Sequence, residues 1–245
     1  LSSAVTPKKN SINFASRFSK MEEQKWLVNQ MLEHVSDHKR ILFDQILENR
    51  TRHVTVVLEN IFQPHNASAV LRSCDCFGVQ DIHIIENGNK FENSEGVDMG
   101  ASKWLTLHKY HQEENNTIST LQSLKKKGYK IVATTPHTKD CMIGELPVDE
   151  PFALVFGTEL TGLSELAMKE ADSFVRLPMY GFTESYNISV SVALSLYETT
   201  ERLRKTEIDW HLTEQEKLDL KLNWVRQVIK HGAKIEKEIL SRRNG

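Results

Sequence analysis

The chain has 245 residues, a formal net charge of −2 and 26% charged residues. That is enough for one large domain with helical additions, without the strongly basic balance of many nucleic-acid binders. Its three cysteines exclude a full disulfide framework, Cys74-x-Cys76 lacks the second ligand pair of a structural zinc site, and no apolar run reaches the ~18 residues of a membrane span.

Residues 1–20 hold Lys8, Lys9, Arg17 and Lys20 and no acid, and read as a polar basic arm rather than a transit peptide. Over 21–49, Trp26, Leu27, Met31 and Val35, then Ile41, Leu42 and Ile46, fall at helical spacings and predict two helices broken near Ser36-Asp37. Residues 1–50 are thus an arm and a helical extension. His53–Leu58 reads as a strand, 67–77 as a helix and Asp81–Ile85 as a strand, the order of a βαβ unit. Further on, Trp104–Leu107 reads as a short strand and 117–127 as a helix. Gly128 stops that helix just past a lysine-rich last turn, where cations suit the negative dipole end. Strands at Lys130–Thr134, 152–156 and 174–177 complete the alternation. The class is α/β, a mostly parallel sheet with helices on both faces.

Two later segments are less direct. Ile188, Val190, Val192, Leu194 and Leu196 alternate with Ser189, Ser191, Ala193 and Ser195, which fits a strand by period and a buried helix by composition, so the pattern leaves both open. After a core spanning 51–203, residues 204–245 read as a basic helical extension. Arg226, Lys230, Lys234 and Lys237 follow at steps of four, four and three, one stripe if the helix is continuous. From Lys217 to Gly245 there are eight basic residues against three acids. Such a stripe is either a phosphate-binding surface or a solvated face.

Three short constellations carry chemistry. Asn66-Ala67-Ser68-Ala69-Val70-Leu71-Arg72 follows a strand, with Asn66 where a helix cap belongs and Arg72 two turns in; a capping Asn and a surface Arg would look the same. In Gly157-Thr158-Glu159-Leu160-Thr161-Gly162 an apolar strand delivers a carboxylate between two glycines, which permit close backbone approach, although Glu159 could equally serve a helix start. No segment matches a phosphate-cradling glycine loop. In Leu177-Pro178-Met179-Tyr180-Gly181 through Ser185-Tyr186-Asn187-Ile188-Ser189-Val190-Ser191, Ser185 and Asn187 are good helix caps.

Taken together and in this order, N-x-x-A-x-x-R at 66–72, F-G-x-E-x-x-G at 156–162 and L-P-M-x-G…S-x-N-x-S-V-S at 177–191 resemble the TrmH (SpoU) family of the SPOUT superfamily, over about residues 39–200. The resemblance implies ribose 2′-O-methylation of RNA with S-adenosylmethionine as cofactor, a C-terminal deep trefoil knot, a helix over 187–203, and a homodimer. It implies cofactor contacts, largely through backbone, at Thr134, Thr135, Gly157, Leu177, Met179 and Tyr186. Arg72 would orient the ribose and its phosphate, Asn66 and Glu159 would hold Arg72 and the pocket wall, and Ser185 and Asn187 would shape the space between cofactor and ribose. The arrangement looks like that of the tRNA members acting on the D-loop guanosine at position 18, with Arg226, Lys230, Lys234 and Lys237 on the tRNA backbone. Ribosomal RNA, or a catalytically silent RNA-binding protein, is the alternative. A cytoplasmic enzyme that uses no metal is expected.

Overall fold

Val54–Glu59 (β1) is buried along its whole length, and its run of β-branched residues suits a strand covered on both faces. In the computed structural model, which describes residues 10–92, 95–136 and 141–243, it is the third of seven strands. Ahead of it stand α1 (Asn10–Leu32) and α2 (Asp37–Leu47). After it come α3 (Pro64–Cys76), β2 (Asp81–Ile85), the short α4 (Glu95–Asp98) and β3 (Thr106–Tyr110). Then follow α5 (Thr117–Lys126), β4 (Lys130–Thr134), β5 (Cys141–Met142), β6 (Phe152–Phe156), α6 (Glu165–Glu170), β7 (Ser173–Arg176) and α7 (Ile188–Leu203). The chain closes with α8 (Glu214–Val228) and α9 (Gly232–Arg243).

The strand order is β3-β2-β1-β6-β4-β7-β5 and every neighbouring pair is parallel. Leu58 registers with both Ile84 and Phe156, so β1 and β6 end level with each other. Alternate side chains enter two cores. Val56 and Leu58 pack with Val70, Leu71, Val192 and Leu196 of α3 and α7, while Val57 and Val155 pack with Leu121, Leu124 and Ala167 of α5 and α6. The chain builds outward from β1 through β2 to β3, then returns to the other side with β4 and β6. The switch therefore falls between β1 and β6, and open α/β sheets bind ligands at the carboxyl ends beside such a point.

The structure divides into two units, Asn49–His211 and a helical unit of Leu1–Glu48 with Leu212–Gly245. The later boundary lies beyond the 203 expected because the chain after α7 is stapled back to the sheet's start. Thr51 bridges His211 antiparallel and Val79 parallel, and its hydroxyl donates to the Trp210 carbonyl at 2.6 Å. In the helical unit, Thr213 and Glu216 form a reciprocal capping box that starts α8. Lys217 then pairs with Glu48 at 2.9 Å, Lys221 with Asp44, and Arg243 with Glu23 at 3.1 Å while lying over the Trp26 ring.

Several expectations are corrected. Residues 1–9 of the expected arm lie outside the described residues, and α1 already runs from Asn10. The strand expected at 104–107 lies at Thr106–Tyr110, because Ala101–Lys103 forms a 3-10 turn and Trp104 caps it. The cap of α3 is Gln63, not Asn66: Pro64 takes the first helical position, where its missing N–H costs nothing, and leaves Asn66 in the first turn. The basic stripe is broken. One helix ends at Val228 and the next begins at Gly232, after His231 at φ 61, so Arg226 lies on α8, Lys230 in the turn, and Lys234 and Lys237 on α9. The segment left open by its pattern is the helix α7, whose Val192 and Leu196 are buried.

Candidate active site

Three strand exits meet at the carboxyl edge of the sheet. After β6 the backbone turns back on itself. Thr158 and Gly162 exchange N–H···O bonds of 3.0 Å each way, Gly162 takes φ +68, and a Cβ on Gly157 would stand 2.1 Å from the Gly162 carbonyl oxygen. Only glycine permits that approach at 157. Glu159 sits at the tip of this turn. The base of the turn is anchored by Glu59, a buried carboxylate at the end of β1 that accepts from the Ser164 N–H at 2.9 Å, the Ser164 hydroxyl at 2.7 Å and the Thr117 hydroxyl at 2.6 Å. Both serine and threonine stand at helix starts, so the buried charge is met by N–H and O–H groups and by the positive ends of α6 and α5.

Glu159 closes a network across three segments far apart in sequence. Its Oε1 accepts from Asn66 Nδ2 at 2.9 Å, from Asn187 Nδ2 at 2.6 Å and from the Ile188 N–H at 3.3 Å. Asn187 Nδ2 also donates to Asn66 Oδ1 at 3.1 Å, and Asn66 Nδ2 to Gln63 Oε1 at 3.0 Å. The side-chain oxygen of Asn187, Oδ1, caps α7, taking the Ser189 N–H at 2.9 Å and its hydroxyl at 2.6 Å. So the carboxylate does serve a helix start, but that of α7, which only the fold brings to it. Among the described residues, no donor reaches Glu159 Oε2.

Glu159 also borders a cavity of about 450 Å³. Thr134, Thr135, Gly157, Leu177, Met179, Tyr186 and Ser185 all line it. Thr134 is fixed by its hydroxyl on the Val155 carbonyl at 2.8 Å, the Thr135 N–H meets the Val175 carbonyl at 3.0 Å, and the Tyr186 hydroxyl donates to the Pro178 carbonyl at 3.0 Å. Among the described residues its charged lining is Glu159, Glu184 and Arg176, two carboxylates against one guanidinium.

Arg72 is not joined to this network. It is exposed on α3, does not line the cavity, and has no hydrogen bond or ion pair among the described residues, so the expectation that Asn66 and Glu159 hold it is corrected. Six residues past Asn66 on one helix, Arg72 projects about 120° away from it. Arg226 is engaged by Glu236 through two bonds, one of 2.7 Å, whereas Lys230, Lys234 and Lys237 have no acid partner among the described residues. Of the thiols, Cys74 is buried and its burial pushes the thiol pKa up, away from the reactive thiolate. No group of three metal-ligating side chains occurs among the described residues. Glu59, Ser164, Glu184 and Arg176 escaped the sequence reading. The sign available was Glu59 itself, an acid directly after the apolar run Val56–Leu58.

An open parallel sheet, a cavity at the carboxyl ends of β4, β6 and β7 and an Asn–Glu–Asn network drawn from three strand exits define an α/β protein whose pocket is built of loops. Residues 53–197 match the SpoU rRNA Methylase family, and the chain belongs to that family. It is 44% identical over 207 residues to the tRNA (guanosine(18)-2′-O)-methyltransferase of Borreliella burgdorferi, covering 84% of this chain and 93% of that one. The enzyme of the same name from Thermus thermophilus is 32% identical over 163 residues, 66% of this chain and 82% of its own. The crystal structure of the A. aeolicus TrmH/SpoU tRNA modifying enzyme superposes with a TM-score of 0.71 at 31% identity, covering 79% of this chain and 98% of that one.

Proposed function

We propose that this protein is an enzyme that methylates the ribose 2′-hydroxyl of guanosine 18 in tRNA, with S-adenosylmethionine as donor. The observation that carries the reading is the Asn66–Glu159–Asn187 network, whose Glu159 lines the cavity, in a chain 44% identical to an enzyme named for that reaction. The cofactor, when bound, supplies a methyl group already activated by its positive sulfonium. The pocket fits such a molecule. Among the described residues its charged lining has an excess of one carboxylate, Ile143, Leu177 and Met179 offer apolar surface, and the backbone of the turns offers donors and acceptors for a flat base. Thr134, Thr135, Gly157, Leu177, Met179 and Tyr186 would hold it.

The chain's own residues then have to bring one hydroxyl into line. Alignment of reacting atoms is worth several kcal/mol, ~7–11 in the best cases. Glu159 Oε1 fixes both asparagines, which leaves Oε2 as the acceptor for a hydroxyl delivered to the cavity. Arg72 has no lone pair to take a proton and a pKa above ~12, so its role is to grip the adjacent phosphate. Its distance from the network is bridged in a homodimer. On α7, which packs against α3, Val190, Leu194 and Tyr197 are exposed at helical spacing, an apolar stripe suited to a second copy. We further infer that the segment between β7 and α7 threads the trefoil knot of the family, a reading supported by the return of Asn187 to Asn66 and Glu159. Lys230, Lys234 and Lys237, with Arg226 in a lesser part, would contact the tRNA backbone, and the reading takes the reaction as cytoplasmic. No helix among the described residues is long and apolar enough to cross a membrane.

The test is methyl transfer from labelled donor to tRNA and to ribosomal RNA, with the product nucleotide mapped by mass spectrometry. Arg72→Ala should lower single-turnover transfer to tRNA roughly 100-fold and leave calorimetric cofactor affinity within about twofold. Equal losses in both, or label only in ribosomal RNA, would count against the proposal. An active monomer by light scattering would refute the dimer.

A further inference from the structure

The loop from β7 to α7 enters the cavity wall twice and leaves it once. Met179 lines the cavity, and Glu184, Ser185 and Tyr186 line it again, so residues 180–183 bow outward at its mouth. The two rings on this bow are bare: Tyr180 is 96% exposed and Phe182 108%. Across the same opening, Leu160 at the tip of the β6 turn is 98% exposed and lines the cavity. No hydrogen bond or ring contact engages Tyr180 or Phe182 among the described residues, and a Cβ on the intervening Gly181 would touch nothing within 4 Å.

Three bare apolar side chains on two loops around one polar opening are costly in water unless something planar and apolar covers them. Leu160 stands at the cavity's edge and Tyr180 and Phe182 lie outside its lining, and all three are exposed, so whatever covers them arrives with the substrate. Resting on the methyl-transfer reading above, the ribose must enter this mouth, and its base, a fixed bond away, comes to the rim. A base can meet an aromatic side chain only where RNA is single-stranded or the base is swung out of its stack. We propose that Phe182, with Tyr180 beside it, is the stacking platform for the purine base of the target nucleotide, and that it sets the enzyme's preference for a large base in an unpaired RNA segment.

Base–aromatic stacking lost on truncation corresponds to roughly 5- to 150-fold in binding. The full-length chain is assayed as Phe182→Ala, Phe182→Trp and the double substitution Tyr180→Ala/Phe182→Ala, for kcat/KM on tRNA, calorimetric affinity for S-adenosylmethionine, and mass by light scattering. Because both rings are exposed, folding is untouched, and thermal melts verify that. The expected result is a loss of about tenfold or more in kcat/KM for tRNA in Phe182→Ala, a near-normal value in Phe182→Trp, and cofactor affinity and mass unchanged. A double variant that matches an active wild-type chain overturns the stacking role alone. A parallel loss of cofactor affinity overturns it by assigning the rings to the cofactor, and a change in mass overturns it by assigning them to a subunit contact. A wild-type chain that transfers no methyl to any RNA overturns the methyl-transfer reading and the stacking role with it.

Discussion

Asn187 performs two tasks with the two ends of one amide, and substitution can separate them. Its oxygen caps α7 by accepting from Ser189, and its nitrogen ties Glu159 at 2.6 Å and Asn66 at 3.1 Å. Asn187→Ala removes both. Loss of the cap costs about 1 kcal/mol, and loss of a bond to an exposed carboxylate about 1 more once solvent screening is allowed for. In a chain of this size the sum lowers Tm by roughly 4–8 °C. Asn187→Ser keeps a capping oxygen but cannot span to Glu159, so Tm should fall by only about 2–4 °C while single-turnover methyl transfer falls roughly 10- to 100-fold. Asn187→Asp keeps the cap and sets a second carboxylate against Glu159 Oε1, a repulsion of about 1.5–3 kcal/mol at a separation near 3 Å in a highly polarisable surround. A like-charge pair raises one pKa, so this penalty is present at neutral pH and disappears as pH falls through the raised value. Melting curves at pH 7.5 and 5.5 should therefore show Asn187→Asp recovering toward the wild-type chain on acidification. If the Asp variant matches wild type at both pH values, or the Ser variant transfers methyl at the wild-type rate, the network has no such part in the site.

Gly157→Ala would drive a Cβ to 2.1 Å from the Gly162 carbonyl oxygen, so the turn must open; calorimetry should show cofactor binding weakened at least about tenfold. Replacing Lys230, Lys234 and Lys237 by Gln should each reduce the slope of log affinity for tRNA against log salt by up to about one, whereas Arg226→Gln should mainly lower Tm because Glu236 already engages that guanidinium. Burial holds His83 neutral with a pKa of about 3, His108 and Lys127 lowering it further and Asp81 opposing, while the Tyr110 hydroxyl lies 2.8 Å from its Nδ1. A histidine with a lowered folded pKa stabilises fully above the unfolded value of ~6.5 and loses that stability as pH falls toward 3. Wild type should therefore lose about 2 kcal/mol by pH 5 relative to His83→Gln, read from the pH dependence of denaturant midpoints.

Most of the sheet was legible because its central strands are short, largely apolar runs between turn residues, and all six neighbouring pairs proved parallel. β5 was not legible, since two residues of sequence, Cys141 and Met142, carry no period. The site was half legible. Asn66, Glu159 and Asn187 could be marked from their motifs, but each also fits a local capping role. Only the 93- and 121-residue separations closed by Asn66 show that they meet. Glu59 was passed over because no cation accompanies it in sequence; its donors are a serine and a threonine more than fifty residues away. The basic stripe failed for a different reason. Steps of three and four imply one face only while the helix continues, and the Ile229–His231 turn interrupts it.

The bridge between Thr51 and His211 has an evolutionary meaning. Within the α/β unit it sets the chain's entry, near Thr51, beside its exit at His211. Helices attached there can be lengthened, exchanged or replaced by an unrelated module without disturbing a single sheet strand. On the proposed reading of Lys230, Lys234 and Lys237, altering those helices changes which RNA is gripped while the sheet stays as it is.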